Sequence, residues 1–250
     1  MRKFTHRLRA GQSRRIPTPA LGSRRTVIEP LEKRRLLTLQ SLLSGGSLTI
    51  DLDGADNVSI TKVGGLVKIN GQDPLGGPIA TNALVGITLS ASGNFDNHID
   101  LTAINQTDFS SLVLISLDAG DGNDVYQLNQ GGLVPGAVVQ VADTGAVGSD
   151  SLELSSSALV GETINISATD VSRSLSATVS YDGIESLQVD GTSAADTINV
   201  TATNASTATS IQAGGGVDVF SNIDLTQIGT AGLSIDGGGN GESLTLNTTT

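Results

Sequence analysis

The sequence predicts an all-β protein, a parallel β-helix with coils of about 20–28 residues. Three observations lead there. Apolar residues make up 38% of the 250, yet aromatics are 2%, Trp is absent and Gly numbers 31. A core is therefore available, but one of thin aliphatic layers set among many turns. Short segments alternate apolar and polar residues, the period of a half-buried strand, and no stretch after residue 45 has helical periodicity. Between such segments one loop design recurs, short and rich in Gly, Asp, Ala and Ser, closed by an acid.

The copies follow in order. LTIDLDGADNVSI begins at Leu48, ITLSASGNFDNHIDL at Ile87, LISLDAGDGNDVYQL at Leu114 and VVQVADTGAVGSDSLEL at Val138. LQVDGTSAADTINV begins at Leu187, IQAGGGVDVFSNI at Ile211 and LSIDGGGNGESLTL at Leu233. Their acids are Asp56, Asp96, Asp124, Asp150, Asp196, Asp218 and Glu242, spaced 40, 28, 26, 46, 22 and 24 residues apart. The two long intervals each leave room for one degenerate copy, the second near Ile164 to Val179. Within a copy, Ile115, Leu117 and Ala119 share one face, and Ile198 and Val200 point opposite to Thr197 and Asn199. Tyr126 and Phe220 occupy apolar slots and read as core or edge fillers. The alternative fold is a pair of β-sandwich domains, whose cores usually hold Trp or Tyr. A tandem calcium β-roll needs nonapeptides back to back, and here each copy stands alone.

Charge divides the chain. Residues 1–40 carry eleven Lys and Arg against Glu29 and Glu32, a net +9; residues 41–250 carry Lys62, Lys68 and Arg173 against 23 acids, a net −20. The expected organisation is a basic, largely disordered leader over 1–44 and an acidic repeat body over 45–250, open-ended toward a longer array. Such a body repels phosphate, which argues against nucleic-acid partners, and it attracts divalent cations. Without cysteine there are no disulfides and no thiolate sites. The leader's best apolar stretch, LLTLQSLLSGG, is broken by Gln40 and Ser41 and is too short to span a bilayer, so no transmembrane helix is expected. A basic region, an apolar region and small residues do occur in the order of an export signal. Val27 to Leu37, VIEPLEKRRLL, resembles the LEPR-XLL motif of very large exported or surface-associated bacterial proteins, with Leu31-Glu32-Lys33 splitting Glu-Pro from Arg-x-Leu-Leu. That resemblance implies an extracellular or cell-surface location.

Residues 119–127, AGDGNDVYQ, resemble one turn of the secreted calcium-binding repeat G-G-x-G-x-D-x-apolar-x. Calcium takes six to eight oxygens from carboxylates and carbonyls. Asp118, Asp121 and Asp124 supply such donors in one loop, and Asp51, Asp53 and Asp56 do so in another. Asp218, in AGGGVDVFS, is a weaker candidate because its loop holds a single acid. The competing reading is structural: Asp in a Gly-rich loop bonds its own backbone and shapes the turn.

No catalytic residue stands out. Parallel β-helices include polysaccharide lyases and hydrolases, and this fold-level analogy defines the alternative function, a carbohydrate-active enzyme. The body lacks the bases and aromatics that hold an acidic sugar, and its one histidine, His98, reads as a solvent-facing strand residue. The sequons at Asn57, Asn165 and Asn199 are no more than composition predicts, and GGGNG at Gly237 has no following Lys to make a phosphate loop. The expected function is non-enzymatic: a structural or adhesive module of an exported or surface bacterial protein, with calcium as the one candidate cofactor. Its partner would be a surface, matrix or polysaccharide ligand. Without recognisable caps, the coil ends would also favour self-association.

Overall fold

The computed structural model describes residues 39–239 and 241–247. The basic leader up to residue 38, with its LEPR-XLL-like segment, lies outside them. The strands are β1 Gln40–Ser44, β2 Ser47–Leu52, β3 Asn57–Val63, β4 Leu66–Ile69, β5 Gly86–Ala91, β6 His98–Leu101 and β7 Leu114–Asp118. Then come β8 Val125–Asn129, β9 Val138–Ala142, β10 Ser151–Ser155, β11 Thr163–Ile166, β12 Asp170–Arg173 and β13 Thr178–Asp182. The series ends with β14 Ser186–Asp190, β15 Thr197–Val200, β16 Ala208–Gln212, β17 Val219–Asp224, β18 Leu233–Asp236 and β19 Ser243–Asn247. Among the described residues the helical elements are three single 3₁₀ turns, at Thr81–Ala83, Gln130–Gly132 and Leu225–Gln227.

The protein is all-β, with two large, mostly parallel sheets. The first runs β1-β2-β5-β7-β9-β13-β12-β11-β15-β17-β19, and the second runs β18-β16-β14-β10-β8-β6-β3-β4. For most of its length the chain visits the sheets alternately, so each strand lies beside its counterpart from the preceding pass. Pairing is in register: Leu48, Ile87, Ile115, Val139 and Val179 form one inward row of the first sheet. Val58, Ile99, Tyr126, Leu152 and Leu187 form one of the second. All ten are buried, because period-two alternation sends every second side chain inward and parallel stacking superposes like on like. Ile115, Leu117 and Ala119 share the buried face as expected, and Tyr126 and Phe220 are fully buried core residues.

Two departures from the expected coil have physical causes. Among the described residues sheet pairing begins at Gln40, four residues before the expected end of the leader at 44, because β1 pairs antiparallel with β2. The Gly45-Gly46 turn between them has φ of +58° and +84°, a tight hairpin geometry that side chains disfavour. Second, the interval holding Ile164 to Val179 does not add an equivalent pass. It forms the antiparallel meander β11-β12-β13, which widens the first sheet by two strands while β10 pairs directly with β14. The interval between Asp56 and Asp96 holds no extra pass in the second sheet either, since β3 pairs directly with β6.

The end of the sheets nearest β1 is covered, contrary to the expectation of bare coil ends. Beyond β4, the chain lays Leu75 against β1 (Leu43 N to Leu75 O, 2.8 Å; Leu75 N to Ser41 O, 3.0 Å). It then lays Ile79 against β4, with Val67 N donating to Ile79 O at 2.9 Å. Pro74 and Pro78 lie in this segment and offer no N–H to a further strand.

Candidate metal centre

The second residue before each inward apolar position is itself inward, and at the entry to a strand it is repeatedly an acid or amide. The second sheet has Asp56, Asn97, Asp124, Asp150 and Glu185 there, each directly before β3, β6, β8, β10 and β14. They form a ladder in which the backbone N–H of one pass donates to the side chain of the next. Asp56 donates to Asn97 Oδ1 at 3.0 Å, Asn97 to Asp124 Oδ1 at 2.6 Å, Asp124 to Asp150 Oδ1 at 2.8 Å and Asp150 to Glu185 Oε2 at 2.8 Å. A second ladder enters the first sheet, where Glu162 donates to Asp196 Oδ1 at 2.6 Å and Asp196 to Asp218 Oδ1 at 2.8 Å. Each carboxylate thereby satisfies an amide that the loop geometry leaves without a sheet partner.

Three acids converge in the first ladder. Asp124, Asp143 and Asp150 each offer an oxygen within 4.8 Å of the others', and all three residues are buried. Asp124 and Asp150 come from the ladder. Asp143 comes from the far end of β9, two residues beyond the buried Val141. At that place in the other passes stand Leu52, Ala91, Ala119 and Gly183, so Asp143 is the one carboxylate in a row otherwise without charge. Tyr126 locks it: the phenol donates to Asp143 Oδ2 at 2.7 Å and accepts from Ala119 N at 2.7 Å. Asp143 Oδ1 accepts from Gly145 N at 3.0 Å. Asp124 Oδ2 is buried without a hydrogen-bond partner among the described residues.

The electrostatics follow from the packing. Burial pushes the Asp124 carboxyl up to about 7, with Asp143 and Asp150 adding to the rise and the Asn97 amide opposing it. Burial likewise pushes Asp150 up to about 6, and raises Asp143. No cation of the protein relieves this among the described residues. Lys62 pairs with Asp108, Lys68 with Asp73 and Arg173 with Glu162. The last pair is fully buried in the widened part of the first sheet, where Arg173 also donates to Gln130 Oε1, Leu154 O and Asp190 O.

The structure separates the acids that the sequence grouped by proximity. Asp118 accepts from Gly120 N and from Thr144 of the next pass, and Asp121 accepts from Ala146 N and Val147 N. Both thus act as loop-to-loop struts, and of their trio only Asp124 enters the converging group. Asp51 accepts from Ser90, while Asp53 and Asp56 each keep a buried oxygen with no partner among the described residues. Asp218 is buried at the entry to β17, with Oδ2 also lacking a partner among the described residues. Asp96 is an exposed strut to Asn123, whose amides hold its carboxyl below the ordinary range; Asn97 holds the ladder position in its place.

Asp143, Glu162, Glu185 and Asn97 escape a search for the acid that closes a Gly-rich loop. A parity rule finds three of them: an acid or amide, one outward residue, then two alternating apolar residues, as in Asn97-His-Ile-Asp-Leu, Glu162-Thr-Ile-Asn-Ile and Glu185-Ser-Leu-Gln-Val. Asp143 sits at the mirror position, at the exit of a strand. Comparison of the chain with protein-family models, with curated proteins and with solved structures finds no match.

Proposed function

We propose that the body is a parallel β-helix acting as a structural or adhesive module of an exported or cell-surface bacterial protein. The observation that carries this reading is the in-register stacking of successive passes in both sheets, which repeats the same outward positions at strand spacing, about 4.8 Å. On the second sheet this makes a row of Ser59, Asp100, Gln127, Glu153, Gln188 and Ser210. Gln127 donates to Glu153 at 2.8 Å within that row. A regular file of acids, amides and hydroxyls suits a polysaccharide or matrix polymer of similar repeat, held by many weak hydrogen bonds. The acidic body and the LEPR-XLL resemblance of the leader agree with export.

Removal of one whole pass tests the architecture. Leu114 pairs with Val138, so deleting residues 114–137 joins equivalent backbone positions. A stack of passes with nearest-neighbour coupling keeps a folded, cooperatively melting β protein after this deletion. Loss of all folded signal argues for sandwich-like cores instead. Location is tested by expressing the full chain in a bacterial host and shaving intact cells with protease. Surface or medium recovery supports the reading; retention in the cytoplasm overturns it.

A further inference from the structure

We infer that Asp124, Asp143 and Asp150 form a buried binding site for a hard divalent cation of calcium's type, which joins two consecutive passes of the chain. The site is independent of where the protein resides. It rests on two observations. The first is convergence: oxygens of the three carboxylates lie within 4.8 Å of one another. Three oxygens that close have a common point within about 2.8 Å of each, and a small inward shift of the side chains brings that to calcium's contact distance of about 2.4 Å. The second is the orphaned Asp124 Oδ2, buried and without a partner among the described residues. Burial of an anionic oxygen with nothing opposite it is expensive, and a cation or a proton removes the expense.

The surroundings select the cation's class. The donors are all oxygen, which disfavours zinc and copper. An oxygen that accepts one amide keeps a second lone pair, so the bonds to Asn97 N, Asp124 N, Gly145 N and Tyr126 leave coordination capacity on every carboxylate. Glu185, whose side chain lies within hydrogen-bond reach of the Asp150 carboxyl, and Asp118 add negative charge around the group. Magnesium retains several waters in most protein sites, and this site is too buried to admit them readily; calcium accepts a set of carboxylates directly. The small residues at Ala119 and Gly183 flank Asp143 in the adjoining passes, which makes the site single rather than one of a series.

The alternative is that the three carboxyls share protons instead of a metal, and two measurements on the full chain separate the two. Thermal melting is compared in chelator, in calcium chloride, and in magnesium and sodium chloride at matched ionic strength. The expected result is an upward shift of about 5 °C or more that is specific to calcium. It is lost in Asp124→Asn and in Asp143→Asn, both of which keep an oxygen for their amide bonds, and retained in Glu153→Gln. Terbium, a luminescent substitute for calcium, gives the second readout on unaltered protein. The chain has no Trp and two Tyr, and Tyr126 bonds directly to Asp143. Tyrosine excitation should therefore yield terbium emission that calcium displaces and that Tyr126→Phe removes. Equal shifts from calcium, magnesium and sodium reduce the effect to screening and overturn the proposal. So does a chelator-insensitive protein in which Asp124→Asn raises the melting temperature at pH 7, since that variant mimics the protonated acid. Absence of terbium emission from the folded protein overturns it as well.

Discussion

At the scale of single residues, the same burial that gathers Asp124 and Asp150 makes the metal-free protein sensitive to pH. In the unfolded chain an Asp titrates near 3.9. In the folded chain Asp124 holds its proton to about 7 and Asp150 to about 6. The folded state therefore binds more protons across that interval, and stability falls as pH rises from about 4 through 7. Asp96 and Asp108 have lowered values, so their contribution is lost as pH falls below the ordinary carboxylate range. Melting temperature in chelator should peak near pH 4 and decline through about pH 7, and Asp124→Asn should flatten the decline. A melting temperature that rises over pH 5–8 would contradict the buried, uncompensated state of these acids. Arg173 supplies a second residue-scale test. Its replacement by Met leaves Glu162 buried and unpaired, and should cost about 3–5 kcal/mol in urea unfolding. A loss below about 1 kcal/mol, typical of exposed pairs, would place the pair in solvent.

At the scale of elements, the loops decide how closely passes stack. Gly122 and Gly148 have φ of +141°, and a Cβ on Gly148 would lie 1.5 Å from Gly122 O, one pass below. Gly64, in the β3–β4 hairpin, also has positive φ but faces open space. Gly148→Ala should therefore cost about 3 kcal/mol or more, and Gly64→Ala about 1, by chemical denaturation. Equal losses would show that backbone conformation alone, without the close approach, sets the requirement. Much at this scale was legible beforehand. Alternation located the buried faces of β7 and β15, and the apolar slots correctly held Tyr126 and Phe220. The acid series was less legible. Asp150 and Asp196 look like successive members of one series 46 residues apart, but they enter different sheets. Spacing along a chain does not record which sheet a strand joins.

At the scale of the whole molecule, the covered end predicts its own consequence. Residues 71–80 bond to both β1 and β4, and their prolines leave few donors for another chain. Removing residues 1–46 deletes β1 and bares the edge of β2. The truncated protein should self-associate in sedimentation analysis, while the full chain associates less. Equal behaviour would show that β1 does not protect that edge. The cover was not legible in sequence because its bonds join Leu75 to Ser41 and Leu43, and Ile79 to Val67, through backbone groups that every residue carries. What the amino-acid sequence determined by itself was local and periodic: strands from alternation, turns from glycine, an acidic body from composition and an aliphatic core from the lack of aromatic residues. Only the tertiary structure decided which acids meet. Asp118 and Asp121 are close to Asp124 in sequence yet bond to the next loop, while Asp143 and Asp150 come to Asp124 from the following pass. Parallel stacking places equivalent residues one strand apart, and burial then gives those meetings their electrostatic weight.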